Sequence, residues 1–240
     1  MHHLPGGQDR EPQEFDKVFP KLRRGVNKGK TELITDLIEP FLNVEVGALI
    51  LKVGEALPQA RFNLITKLPD KAREVLTEYP EIQELPYHLQ VTTMMDGVPI
   101  PDIVDKVERL LEVAKSVSCR VDPFVPGVSD LFVFLEQIDK LSEVGIKRIT
   151  TNTMKLYRGQ WKHLPGLDQS WYSDGDKAGS AKIINSELES RYFEAISERC
   201  GYVGMGLGVC MSRPEVRVFE TTPCEGIGLD EYEPTTRTSE

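Results

Sequence analysis

The sequence contains no apolar run approaching the ~20 residues that a membrane-spanning helix needs. Its start, Met1-His2-His3-Leu4-Pro5-Gly6-Gly7, lacks the apolar stretch of a secretory signal. These absences predict a cytoplasmic protein with no membrane partner. Basic charge is in deficit. There are 29 Lys and Arg against 38 Asp and Glu, a net charge of −9, which argues against a protein that coats nucleic acid by charge alone. Histidine is scarce, and His88 and His163 stand isolated. No Ser-His-Asp, G-x-G-x-x-G or Walker pattern occurs, so no motif supports a triad hydrolase, a dinucleotide fold or a P-loop. Only four cysteines occur, Cys119, Cys200, Cys210 and Cys224, and none forms the Cys-x2-4-Cys pair of structural zinc. In a reducing compartment they are thiols or metal ligands rather than disulfides.

What is present suits a folded domain: 40% hydrophobic and 28% charged residues in 240. Residues 1–30 read as a polar N-terminal segment with a short helix. From there to residue 160 strand and helix patterns alternate. Strands are expected at Thr31–Asp36, Arg61–Lys67, His88–Thr93, Cys119–Phe124 and Ile146–Thr151. The helices between them start at Asn43, near Asp70, at Pro101 and at Ser129 or Asp130, and Gly145 ends the last. Residues 161–228 read as loop, a helix over 185–199 and a Cys-containing extension. Residues 229–240 form an acidic tail with no expected structure.

Strand–helix repeats imply right-handed βαβ units and a parallel sheet. Polarity within the strands separates an open sheet from a barrel. Leu89 and Val91 share one face of their strand, with His88, Gln90 and Thr92 opposite. Cys119 and Val121 oppose Arg120 and Asp122, and Arg148, Thr150 and Asn152 fall together. A parallel sheet covered by helices on both faces would be apolar on both. The expectation is therefore an α/β fold, a partial TIM-type barrel of consecutive βα units, apolar towards its helices and polar inside.

The segments Phe62-Asn63-Leu64-Ile65-Thr66-Lys67, Val91-Thr92-Thr93-Met94, Arg120-Val121-Asp122-Pro123-Phe124-Val125-Pro126-Gly127 and Thr150-Thr151-Asn152-Thr153-Met154-Lys155-Leu156 stand in this order along the chain. Together they resemble the radical S-adenosylmethionine (radical SAM) proteins related to spore photoproduct lyase. The third carries most, as an Arg-x-Asp-Pro-x-x-Pro-Gly pattern. The resemblance covers roughly residues 31–160. It implies S-adenosylmethionine and a [4Fe-4S] cluster as cofactors, and radical chemistry on a substrate that stays undefined, with nucleic acid left open. The family's first strand and its Cys-x3-Cys-x2-Cys cluster loop have no counterpart here. The sequence therefore starts inside the family's barrel or belongs to a degenerate member, with the first preferred because the polar strand ends survive. The rival reading is a non-catalytic binding or partner module.

Barrel sites lie at strand C-termini. Lys67, Thr92, Arg120, Asp122 and Asn152 fall there and are expected to bind cofactor. By resemblance, Lys67 and Thr92 match positions that hold S-adenosylmethionine, and an ammonium suits its carboxylate. Arg120 can clamp a carboxylate in two parallel hydrogen bonds. The competing reading is an internal ion pair, Arg120–Asp122 or Lys67–Asp36. Cys200, Cys210 and Cys224 are candidate metal ligands, against the alternative of small buried thiols. The stretch Lys155–His163 interleaves aromatic and basic residues, which suits base stacking or packing on the barrel rim.

Overall fold

The computed structural model describes residues 32–35, 39–42, 45–58, 60–157, 166–174, 181–210 and 216–222. The expectations for residues 1–30, Asp36, Asn43, His163, Cys224 and the acidic tail lie outside them.

Among the described residues, ten strands and five α-helices follow in order. They are β1 (Glu32–Thr35), α1 (Val46–Ala56), β2 (Arg61–Thr66), α2 (Pro69–Glu78), β3 (Tyr87–Thr92), the hairpin β4 (Met94–Met95) and β5 (Val98–Pro99), and α3 (Ile103–Leu111). Then come β6 (Val117–Arg120), α4 (Leu131–Glu143), β7 (Arg148–Thr151), the hairpin β8 (Tyr172–Asp174) and β9 (Lys182–Ile184), α5 (Ser186–Tyr202) and β10 (Gly206–Val209). Local chemistry explains the boundaries. Pro69 opens α2, where its missing N–H costs nothing. Asp130 caps α4 by accepting from the Phe132 N–H at 2.8 Å. Gly145 follows α4 at φ +99°, a conformation glycine adopts without a Cβ clash. Asn185 caps α5 through the Glu187 N–H at 2.9 Å.

The main sheet has the order β1-β2-β3-β6-β7-β10, and every pairing in it is parallel. The five expected strands are all present, and β10 adds a sixth. Each strand joins the sheet on the same side as the one before it. Right-handed crossovers then place all the helices on one face, which makes the partial barrel expected from the polarity pattern.

That helical face is the apolar one. Phe62, Leu64, Leu89, Val91, Cys119 and Ile149 from the strands pack against helix stripes such as Val107 and Leu110, Phe134, Ile138 and Leu141, and Phe193 and Ile196. These stripes recur at helical spacing, so one side of each helix leaves water. The inner face carries buried polar residues instead, including His88, Gln90, Thr92, Arg148 and Thr150. Buried polar groups need partners, and their arrangement defines the site.

Candidate ligand cavity at the strand ends

Sheet register stacks the inward side chains in levels. Asn63 stands level with His88, Gln90 with Ser118, Thr92 with Arg120 and Arg120 with Thr150. At the lower level His88 Nδ1 lies 2.7 Å from Ser116 Oγ, and Nε2 lies 2.8 Å from Ser118 Oγ. Arg148 Nη2 donates to His88 Nε2 at 2.6 Å and to Ser118 Oγ at 3.3 Å. A guanidinium only donates, so Nε2 accepts, the ring is neutral, and its proton sits on Nδ1 facing Ser116. Burial, with Arg148 adding to it, pushes the His88 pKa down to about 3.

One level up, Arg120 Nη2 donates to Asp122 Oδ2 at 2.7 Å, and Nη1 donates to Gln90 Oε1 at 3.3 Å. The two charged side chains are 17% and 12% exposed. Burial opposes the guanidinium charge. Asp122, and after it the Cys210 thiol, outweigh that, so the Arg120 pKa is raised. Arg120 stays cationic, and one edge of its fork is already committed to Asp122.

Above these levels lies a cavity of about 460 Å³, lined among others by Lys67, Thr92, Arg120, Asp122, Glu39 and Cys210. Four of the five residues expected to bind cofactor therefore meet in one place. Lys67 follows β2, Thr92 ends β3, Arg120 ends β6 and Asp122 lies just beyond it. Lys67 is solvent-exposed and forms no ion pair among the described residues. Asp122 is taken by Arg120, and Asp36, the partner expected for Lys67, lies outside the described residues. Asn152 shares the inward parity but does not line the cavity, and its buried Oδ1 has no hydrogen-bond partner.

Sequence reasoning missed Glu39. It accepts hydrogen bonds from Thr66 Oγ1 and from the Lys67 backbone N–H, the latter at 2.7 Å, and so fixes the turn that carries Lys67. No local pattern announces it, since it sits just before Pro40 and reaches β2 through tertiary structure. Cys210 is a metal candidate by sequence, but its place at the cavity depends on β10, which the Gly-Leu-Gly-Val sequence hides. Cys200 instead packs in the apolar core, where burial pushes its thiol up to about 12, and Cys119 is buried there too. Cys200 and Cys210 thus lie on opposite faces of the sheet. Among the described residues no group of three His, Cys, Asp or Glu is placed to hold a metal.

No protein-family model matches the chain, and no curated protein matches it. Solved structures do. The crystal structure of Streptococcus suis SuiB matches with TM-score 0.60 at 13% identity, over 88% of this chain and 46% of SuiB. SuiB bound to S-adenosylmethionine matches with TM-score 0.58 at 14% identity, over 89% of this chain and 47% of SuiB. A point mutant of spore photoproduct lyase matches with TM-score 0.62 at 11% identity, over 82% of this chain and 66% of the lyase. The chain spans about half the length of SuiB. At these identities the likeness is one of fold, and it is the fold that the sequence resemblance implied.

Proposed function

We propose that the strand-end cavity binds S-adenosylmethionine through its methionyl end. The observation that supports this is convergence: the Lys67 and Arg120 cations, the Thr92 hydroxyl and the Asp122 carboxylate from three strand ends, with Glu39 beside them, line one cavity, in a fold that a solved structure shows together with S-adenosylmethionine. The cavity volume lies within the ~300–1,000 Å³ of small-molecule sites. The amino-acid end of this ligand is a zwitterion and needs opposite charges close together. Lys67 supplies the cation for its carboxylate. Glu39 and Asp122 supply anions for its ammonium, and the Thr92 hydroxyl can bond either end. Arg120 holds Asp122 in place and presents its remaining donors to the carboxylate. The sulfonium is also cationic, and the acidic lining favours it.

The [4Fe-4S] cluster does not fit the residues present. The Cys-x3-Cys-x2-Cys ligand run is absent from the sequence. Cys119 and Cys200 are buried in the core, and Cys210 is the one cysteine among the described residues that lines the cavity. No step is therefore assigned to a cluster. What these residues can do is bind the ligand. The radical enzyme reading needs a cluster held by residues other than these.

Calorimetric titration of S-adenosylmethionine into the chain tests the proposal. Saturable, weak binding is expected, falling about tenfold or more in Lys67→Ala, as loss of one charge-assisted hydrogen bond implies. Equal binding by both proteins removes Lys67 from the site. In parallel, anaerobic reconstitution with iron and sulfide should leave no iron–sulfur absorbance.

A further inference from the structure

Cys210 has no part in holding the ligand, yet the fold delivers its thiol to the strand-end cavity. It follows β10 directly, and its backbone N–H donates to the Thr151 carbonyl at 3.0 Å, which fixes it at the strand ends. Cys210 is half-buried, forms no disulfide and lines the cavity of about 460 Å³. Cys119 and Cys200 are closed off in the core. The thiol is not isolated. It shares a hydrogen bond with the Arg120 guanidinium, which Asp122 and Gln90 hold in turn. A guanidinium beside a thiol favours the thiolate, the form that attacks disulfides. The other charges lining the cavity are Glu39, Lys67 and Asp96. Glu39 is committed to Thr66 and to the Lys67 N–H. Lys67 and Asp96 are exposed and opposite in sign, so they suit the carboxylate and ammonium of an amino-acid end.

A thiol, a cation that activates it and a pair of opposite charges thus meet in one cavity large enough for a small molecule. We propose that Cys210 is a modification site, at which small disulfides with amino-acid ends, of the glutathione type, form a mixed disulfide inside the cavity. The Cys210 thiol gives its proton to water, and the thiolate attacks one sulfur of the disulfide. A new S–S bond forms and the old one breaks. The departing sulfur keeps the electron pair and takes up a proton, so Cys210 is oxidised and the departing half is reduced. A second small thiol reverses the step, which makes the cap removable. The modification shares the cavity and Lys67 with the ligand proposed above, but it does not rest on that reading. Calorimetry reads the one and covalent mass the other.

The test is mixed-disulfide formation by the folded full chain, followed by intact mass and located by peptide mapping. The chain carries Cys224→Ser, since that cysteine falls outside the described residues. Two probes are compared at neutral pH: glutathione disulfide, with zwitterionic ends, and 2-hydroxyethyl disulfide, which is uncharged. N-acetylcysteine amide is the reference thiol. Modification should map to Cys210. The rate with glutathione disulfide relative to the uncharged probe should exceed the same ratio for the reference thiol about fivefold, the factor one hydrogen bond is worth. Lys67→Ala should bring that ratio down to the reference value. Arg120→Gln with Asp122→Asn, which removes both charges together, should slow both probes about threefold or more. That is the effect of losing an adjacent cation after the partly compensating gain in nucleophilicity. Lys67 is exposed, so its variant carries the test even if the double variant does not fold. Reaction at Cys119 or Cys200 in place of Cys210, a ratio equal to that of the reference thiol, or a ratio unchanged by Lys67→Ala would each overturn the proposal.

Discussion

His88 gives the sharpest quantitative handle on the inner face of the barrel. Its Nε2 accepts a hydrogen bond from Arg148, so protonation would set a proton against a guanidinium in a site only 7% exposed. The folded-state pKa is about 3, against 6.5 for an unperturbed ring. Because the folded pKa is depressed, the unfolded chain binds the extra proton between these values. Stability is then complete above the unfolded pKa and is lost as pH falls towards the folded one. At 1.36 kcal/mol per unit, the histidine alone removes about 2 kcal/mol between roughly pH 7 and pH 5. Carboxylates also titrate towards the lower end, so the comparison must be differential. Urea unfolding of wild type and His88→Gln across this range is the assay. Glutamine keeps a side chain that can accept from Arg148 but cannot be protonated. The variant will be less stable than wild type near neutrality because the two serine contacts are disturbed, and the gap should narrow by about 2 kcal/mol on acidification. Parallel curves for the two proteins would refute the neutral, Arg148-bonded imidazole.

Two other perturbations follow from the same geometry. Asp122→Ala leaves the Arg120 guanidinium mostly buried without its carboxylate. It should cost about 3 kcal/mol in urea unfolding, while Arg120→Leu with Asp122→Leu costs less, since both charges leave together. A single variant no worse than the double would contradict the pairing. Gly206→Ala would drive its new Cβ into the Thr222 Cγ2 methyl. The expected destabilisation is about 1–3 kcal/mol, largely relieved by adding Thr222→Ser, which removes that methyl. Absence of rescue would mean the clash lies elsewhere.

The barrel was legible because period-two polarity survives in strands that are packed on one face and line a cavity on the other. Cys119 and Val121 against Arg120 and Asp122 is the plainest case, and both pairs fall where that parity puts them. β10 was not legible. Gly206-Leu207-Gly208-Val209 has two glycines in four residues and reads as loop. The strand forms because tertiary packing outweighs propensity: Leu207 and Val209 enter the core, and Gly206 leaves the room that Thr222 occupies. The β8–β9 hairpin reads as part of one long loop for a similar reason, since strands of three residues carry too short a pattern. Within the site, parity brings Lys67, Thr92, Arg120 and Asp122 together. It also selects Asn152, which faces inward but stops short of the cavity. Glu39 was beyond reach because its role comes from a contact 27 residues away in sequence, at Thr66.

The central claim is that Lys67 meets the carboxylate of S-adenosylmethionine at the strand ends. A double-mutant cycle by calorimetry tests it most directly, pairing wild type and Lys67→Ala with S-adenosylmethionine and its decarboxylated analogue. If the ammonium and the carboxylate are partners, removing either costs about tenfold in affinity and removing the second after the first costs little. Two losses that simply add would contradict the account.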